Sequence, residues 1–299
     1  MAGAVLIANP FATSVTERKL AELQAVLEPL GGLETVLTRK RGHATELARE
    51  ACDQGCDTIF VFSGDGTSNE VLNGIEPGAD VRLGFVPGGG TSVFPRALGL
   101  PRDALAAAQQ LRDAVRRGRT RRISLGRVNG RRFGFNAGLG FDAEAVRRFD
   151  SLGRRDGGKR PGDTRFLLTI AEMLWDHRFR YEPVAELVGV GPVAFAIASN
   201  CEVLTYAGPR ALKIAPQARF ELGLDVVAPL RIRRRSLVRT AYALLRGRAQ
   251  AGPVLYGHDL DRVEIRCDEP MPLQADGEDL GDVEHVLFES ERDAVSVLV

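Results

Sequence analysis

Residues 58–74 constrain the fold of this chain more than any other stretch. The apolar run Thr58-Ile59-Phe60-Val61-Phe62 leads into Ser63-Gly64-Asp65-Gly66-Thr67-Ser68, and an apolar helical pattern begins at Asn69. A short β-branched and aromatic run reads as a buried strand, and the glycines after it read as a turn. Backbone N–H groups left bare by glycine at a helix start can receive phosphate oxygens, and the helix dipole favours an anion there. Asp65 sits between two glycines and would repel phosphate unless a cation bridges them. The turn therefore predicts metal-bound nucleotide and phosphoryl transfer. It is not a Walker loop, which needs Lys-Ser or Lys-Thr after the second glycine. An ordinary strand-to-helix connection with a capping aspartate is the plain alternative, and local chemistry leaves the two evenly matched.

Around this stretch, strand and helix signals alternate. Strands are predicted at 5–8, 33–37, 58–62 and 83–86, and helices at 16–30, 44–54, from 69 onward, and 102–117. The helix at 16–30 places Leu20, Leu23, Val26, Leu27 and Leu30 on one face. Strands separated by helices imply a parallel, Rossmann-like sheet covered on both faces. Ligands bind such sheets at the carboxyl ends of the strands. Asn9, Thr38, Asp65 and the Gly88-Gly89-Gly90 loop each follow a predicted strand, so all four belong to one edge.

The pattern changes after residue 121. Residues 122–128 and 132–137 read as a hairpin across Asn129-Gly130, a strong two-residue turn signal. Short strands follow at 185–190, 193–199, 222–227, 263–267 and 283–288, with helices at 163–176 and 230–246 and a mobile loop at 153–162. The expected organisation is an α/β nucleotide-binding domain over 1–121 and a β-rich domain over 122–299, its last strand free to return to the first.

Composition narrows the class without naming it. The chain has 299 residues, 44% of them hydrophobic and 26% charged, as in an ordinary globular protein. A net charge of +1 gives no field for nucleic acid, and no nucleic-acid partner is expected. Cys52, Cys56, Cys201 and Cys267 show neither metal spacing nor a disulfide framework, which agrees with a reducing compartment. No apolar run reaches membrane-spanning length, and the N-terminus lacks the basic start of a signal peptide. A cytoplasmic location is expected.

Two further constellations carry chemistry. Pro87-Gly88-Gly89-Gly90-Thr91-Ser92 is a second phosphate-competent turn, whose glycines permit φ > 0 and close backbone approach. Asp276-Gly277-Glu278, near the end of the chain, reads by itself as a bare hairpin turn.

Taken together, residues 63–74, 87–96 and 275–278 resemble the diacylglycerol kinase catalytic-domain family, the bacterial lipid kinases related to sphingosine kinases. Asn9-Pro10, residues 136–143, Ser199-Asn200 with Tyr206-Ala207-Gly208, and residues 216–225 match as well, so the resemblance covers essentially the whole chain. The Gly-Asp-Gly-Thr element is shared with NAD kinases; the ensemble is specific. The resemblance implies an α/β domain joined to a C-terminal β-sandwich lipid-binding domain, with ATP in the cleft between them. It implies ATP and Mg²⁺ as cofactors and phosphorylation of a lipid hydroxyl, diacylglycerol foremost, at the inner membrane face. Asn9, Pro10, Thr38, Gly64, Asp65, Gly66, Thr67, Glu70, Gly89, Gly90 and Thr91 would bind the nucleotide. Asp65 and Asp225 would be metal ligands, and Glu278 would take the proton from the lipid hydroxyl. In related sphingosine kinases the aspartate matching Asp65 is itself a candidate base.

The chain departs from the family at several positions. Ser92 stands where asparagine is usual, Pro95 where alanine is usual, and Ser124 where many bacterial members have aspartate. Residues 220–225 are one residue shorter than the family's structural-metal segment, and Leu222 replaces a carboxylate, whereas hard cations want several oxygens. These departures keep a non-catalytic lipid- or nucleotide-binding homologue as an alternative, beside a sphingoid-base kinase and an NAD kinase. Homodimerisation is left open.

Other features have bland readings. Arg231, Arg233, Arg234, Arg235, Arg239, Arg246 and Arg248 crowd one predicted helix and its flanks, which reads first as a solvated face and second as a surface for anionic headgroups. Trp175, with Phe166, Leu167, Leu168 and Leu174, reads first as core and second as an acyl pocket.

Overall fold

The computed structural model describes residues 3–155, 163–178, 180–233 and 254–299. The chain divides into two compact units, Met1–Ser124 with Asp293–Val299, and Leu125–Arg292.

The first unit alternates strand and helix: β1 (Ala4–Ala8), α1 (Glu17–Leu27), β2 (Leu33–Leu37), α2 (His43–Asp53), β3 (Thr58–Ser63), α3 (Asp65–Gly74), β4 (Arg82–Pro87), α4 (Val93–Ala97) and α5 (Ala104–Arg116). The strands form a parallel sheet in the order β4-β3-β1-β2, with Val5 opposite Ile59 and Phe62 opposite Val86. Every residue of β1 and β3 is buried, which is why both read as unbroken apolar runs rather than as alternation. On one face Leu23 and Leu27 of α1 and Ala107, Ala108 and Leu111 of α5 pack against Leu6, Phe60 and Phe62. Full burial of Phe60 and Phe62 contributes about 1.5–3 kcal/mol each. Helices α2 and α3 pack against one another so closely that a Cβ on Gly74 would lie 2.5 Å from the Thr45 carbonyl oxygen.

The second unit is built from antiparallel strands: β5 (Thr120–Val128, entering from the first unit), β6 (Arg131–Phe133), β7 (Asn136–Leu139), β8 (Ala185–Leu187), β9 (Gly191–Val193), β10 (Ala196–Ser199), β11 (Val203–Ala207), β12 (Arg210–Lys213), β13 (Leu224–Pro229), β14 (Val254–Leu260), β15 (Arg262–Ala275) and β16 (Glu278–Leu298). Among the described residues two helices, α6 (Phe141–Arg155) and α7 (Asp163–Asp176), accompany them. The long strands β15 and β16 organise the unit. Residues 273–275 of β15 pair with β7, residues 265–267 pair with β8, and the ladder to β16 shifts register between Arg266 and Met271. Such bulges bend a strand. The sheet folds over, and one core takes side chains from both halves: Leu139, Ala198 and Val226 from one, Phe133, Leu187 and Phe288 from the other. This is the sandwich expected from the resemblance. Ser296 and Val297 of β16 pair in parallel with Arg82 and Leu83 of β4, carrying the chain back to the first unit.

Several expectations need correction. The helix after the glycine turn starts at Asp65, not Asn69, with Gly64 as its extended N-cap; a carboxylate in the first turn complements the helix dipole. The segment read as one strand over 132–137 is two, β6 and β7, and α6 was not anticipated. The expected loop at 153–162 begins inside α6, and the rest of it lies outside the described residues. So does most of the expected helix at 230–246, along with Arg234, Arg235, Arg239, Arg246 and Arg248. Trp175 and Leu168 are not core: they are 73% and 54% exposed. Among the described residues no helix is long and apolar enough to cross a membrane.

One buried carboxyl makes a pH prediction. A Cβ on Gly138 would fall 1.8 Å from Asp142 Oδ1, so glycine there makes room for the acid. Gln274 Nε2 donates to Asp142 Oδ2 at 2.7 Å, whereas Oδ1 is buried without a hydrogen-bond partner. Burial, the larger effect, pushes this carboxyl up to about 7. Between roughly pH 4 and 7 the unfolded chain loses this proton and the folded chain keeps it, so the group's contribution to stability falls with rising pH and levels off above 7. Asp142→Asn is expected to gain on the parent protein by up to about 1.4 kcal/mol per pH unit across that window. Urea unfolding of both proteins at pH 5 and pH 8 checks this; a pH-independent difference contradicts it.

Candidate functional site

The topology selects where a ligand can sit. From β1 the chain passes to β2 on one side, then crosses to β3 on the other, so the connections diverge at the carboxyl ends of β1 and β3. Divergence of this kind opens a crevice in parallel sheets. Asn9 follows β1, and Gly64 follows β3. Asn9 Nδ2 donates to Thr67 Oγ1 at 2.9 Å, tying the first loop to α3, while Asn9 Oδ1 accepts the Phe11 N–H.

The two glycine turns are one object. Gly88 N–H donates to the Ser63 carbonyl at 2.8 Å. A Cβ on Gly89 would lie 2.8 Å from Gly64 Cα, and one on Gly88 would lie 2.9 Å from Ser63 Cα. The glycines of the second turn therefore serve backbone-to-backbone approach. The expected positive φ falls instead on Ser92, at φ 49° and ψ 61°. This is a conformation asparagine also tolerates, so the departure from the family's usual residue is small in backbone terms. The Ser92 hydroxyl accepts from Gly89 N–H at 3.1 Å.

Asp65 locks the two turns together. Its Oδ2 accepts the Val93 N–H and its Oδ1 the Phe94 N–H, each at 2.9 Å. The carboxylate thus caps α4, a different helix from its own. Gly64, Asp65, Gly66, Thr67, Gly89, Gly90 and Thr91 come together on this edge, with Asn9 and the exposed Pro10 on the adjoining loop. Glu70 faces another way: its carboxylate accepts from Gly42 and Ala44 N–H at 2.9 and 3.1 Å and caps α2. Thr38 is buried, and its N–H donates to the Ala8 carbonyl.

Gly89→Ala tests the crossing. Because the added methyl meets backbone and not a flexible side chain, it is expected to lower stability by about 1–3 kcal/mol. Urea unfolding measures the loss; a variant as stable as the parent overturns the expectation.

The remaining site residues lie in the second unit. Glu278 opens β16, opposite Ala275, and its carboxylate pairs with the Arg131 guanidinium of β6. Arg131 was not singled out from the sequence, although the Asn129-Gly130 turn, with φ of 47° and 85°, was the signal that would have placed it. Asp276, at the tip of the same hairpin, accepts from the N–H groups of Gly134, Phe135 and Asn136 at 2.6, 2.9 and 3.3 Å, which holds the β6–β7 connection. Asp279 pairs with Arg147.

Asp225 is fully buried. His258 Nδ1 stands 2.7 Å from its Oδ1, the Asp259 N–H donates to the same oxygen at 3.1 Å, and the Tyr256 hydroxyl donates to Oδ2. Burial, then the Asp225 carboxylate, push the Tyr256 phenol up, so it stays a donor. Protein groups serve the oxygens that the resemblance would give to a cation. Among the described residues no three His, Cys, Asp or Glu side chains are grouped to hold a metal.

Residues 3–128 match the family described as the diacylglycerol kinase catalytic domain. A diacylglycerol kinase of Bacillus subtilis (strain 168) is 31% identical over 286 residues, covering 93% of this chain and 90% of that one. A diacylglycerol kinase of Staphylococcus saprophyticus is 37% identical over 132 residues, covering 43% of this chain. The crystal structure of a diacylglycerol kinase from Bacillus anthracis str. Sterne superposes with a TM-score of 0.68 over 99% of this chain and 96% of that one, at 18% identity, a likeness of fold.

Proposed function

This chain belongs to the diacylglycerol kinase catalytic-domain family, and on that footing we propose that it transfers the γ-phosphoryl group of ATP to a lipid hydroxyl, diacylglycerol being the expected acceptor. The observation that carries this reading is the locked pair of glycine turns at the start of α3, where Asp65 ties one turn to the other and a Cβ on Gly66 or Gly90 would meet open space. Gly64, Gly66 and Thr67 offer donors at a helix N-terminus, and Asn9, Gly89, Gly90 and Thr91 flank them. Donors fixed before the substrate arrives stabilise transition-state charge without reorganising.

In the proposed reaction the lipid oxygen attacks the γ-phosphorus, the bond from that phosphorus to the bridging oxygen breaks, and ADP leaves. Glu278 takes the hydroxyl proton, and Arg131 fixes the direction of its carboxylate. Each Asp65 oxygen already accepts one backbone N–H, so Asp65 would hold a magnesium ion only through a remaining lone pair or a bound water. Bound there, the ion would neutralise charge on the phosphates. The enzyme would meet its lipid as a peripheral protein at the inner membrane face.

Incubation of the pure protein with Mg²⁺, γ-labelled ATP and vesicles containing diacylglycerol, a sphingoid base or no acceptor tests the reading. Label in phosphatidic acid is expected. Label in the sphingoid product would change the substrate, and no labelled lipid in any arm would overturn the kinase reading.

A further inference from the structure

The last turn of α7 carries the chain's one tryptophan on its outer surface. Trp175 is 73% exposed, and Leu168, two turns earlier on the same face, is 54% exposed. Ala171 between them is also exposed, while Thr169 and Met173 are buried on the inner side. The helix end is well closed: His177 N–H donates to the Met173 carbonyl at 3.0 Å and Arg178 N–H to the Trp175 carbonyl at 2.9 Å. The indole is therefore presented on a fixed backbone. Arg178 and Arg180 follow, both exposed, and among the described residues neither has a carboxylate partner. The nearby acids Asp176 and Glu144 are engaged by Arg148, and Glu144 also by His177. Glu172 shares the apolar face.

We propose that this end of α7 docks on a lipid bilayer bearing anionic headgroups, with Trp175 and Leu168 entering the headgroup level and Arg178 and Arg180 meeting the headgroups. A tryptophan exposes roughly 150–250 Å² of surface, whereas a stable protein interface needs about 800 Å² from each partner. The apolar patch is too small for a dimer and the right size for an interfacial anchor, where indole rings favour the boundary between hydrocarbon and water. Arginines beside it add attraction to anionic lipid. The choice of partner rests on the lipid-kinase reading; the measurement below uses neither ATP nor turnover.

Because Trp175 is the chain's one tryptophan, its emission reports this site alone. With the full chain and vesicles of phosphatidylglycerol and phosphatidylcholine, emission is expected to move to shorter wavelength and to be quenched by brominated acyl chains. Pure phosphatidylcholine is expected to give a smaller effect. Trp175→Ala and Leu168→Asp are each expected to weaken co-sedimentation with the mixed vesicles roughly tenfold, and Glu172→Gln to strengthen it. Both weakened sites are exposed, and unchanged urea unfolding establishes that the variants are folded. Co-sedimentation with unchanged emission would place the docking surface elsewhere and overturn the proposal. Absence of co-sedimentation, or a blue shift on concentrating the protein without lipid, which would mean that a second copy covers the helix, would overturn it as well. Vesicle binding without lipid phosphorylation would remove the kinase reading and leave this one standing.

Discussion

Asp65→Ala is expected to lower the stability of the protein by about 2–4 kcal/mol and, on the proposed function, to abolish phosphoryl transfer. Both Asp65 oxygens accept backbone N–H groups at 2.9 Å, from Val93 and Phe94, residues that are 4% and 1% exposed. Removing the carboxylate leaves two buried donors unmet, at about 1–3 kcal/mol for each, part of it recovered by relaxation of a short helix. The expected catalytic loss has a second origin, since the carboxylate holds the second glycine turn against the first, and without it the donors proposed to meet the phosphates are no longer fixed. Asp65→Asn is expected to fall between parent and alanine variant in stability. An amide has one acceptor oxygen and must turn its NH₂ toward one of the two N–H groups. Urea unfolding separates the stability effect, and titration with ATP separates binding from turnover. An alanine variant as stable as the parent would show that the capping geometry carries no weight.

Glu278→Gln is expected to reduce kcat by about 10²–10⁴, the usual contribution of a positioned general base, with ATP affinity within about twofold of the parent. Glutamine keeps the size and one acceptor oxygen for Arg131 but cannot take a proton from an alcohol at neutral pH. The pair is partly exposed, at 35% for the Arg131 side chain and 17% for Glu278, so its loss is expected to change stability by no more than about 1 kcal/mol. A fall in kcat with preserved ATP affinity and folding marks an interaction made in the transition state. A variant that retains full turnover would exclude Glu278 as the base and return attention to Asp65, the other candidate base that the resemblance implied.

The first unit was legible because its signals are local. Burial on both faces of the sheet wrote β1 and β3 as unbroken apolar runs, and the α1 periodicity of Leu23 and Leu27 is the face that packs on Phe60 and Phe62. Asn129-Gly130 likewise announced its hairpin. Shorter or longer-range features were less legible. Helix α4 is five residues long and is started by a carboxylate 28 residues away, so no local cap marked it. The bending of β15 and β16 depends on bulges and on which neighbours each half finds, and their apolar segments read as separate short strands. Trp175 was misread because an apolar pattern on a helix states that a face is hydrophobic, not that anything covers it.

By itself the order of residues determined the parallel α/β beginning, the antiparallel remainder and the presence of two glycine turns with an acid in the first. Periodicity and turn chemistry are properties of neighbouring residues and need no partner to be read. Only the tertiary structure decided what the acids do: Asp65 joins two turns, Glu70 caps α2, Asp225 accepts from His258, Tyr256 and a backbone N–H, and Glu278 meets Arg131. A carboxylate can serve a cation, a helix end, an arginine or a proton transfer. Which one it serves is set by the donors that folding brings within about 3 Å, from segments that in Glu278 and Arg131 stand 147 residues apart.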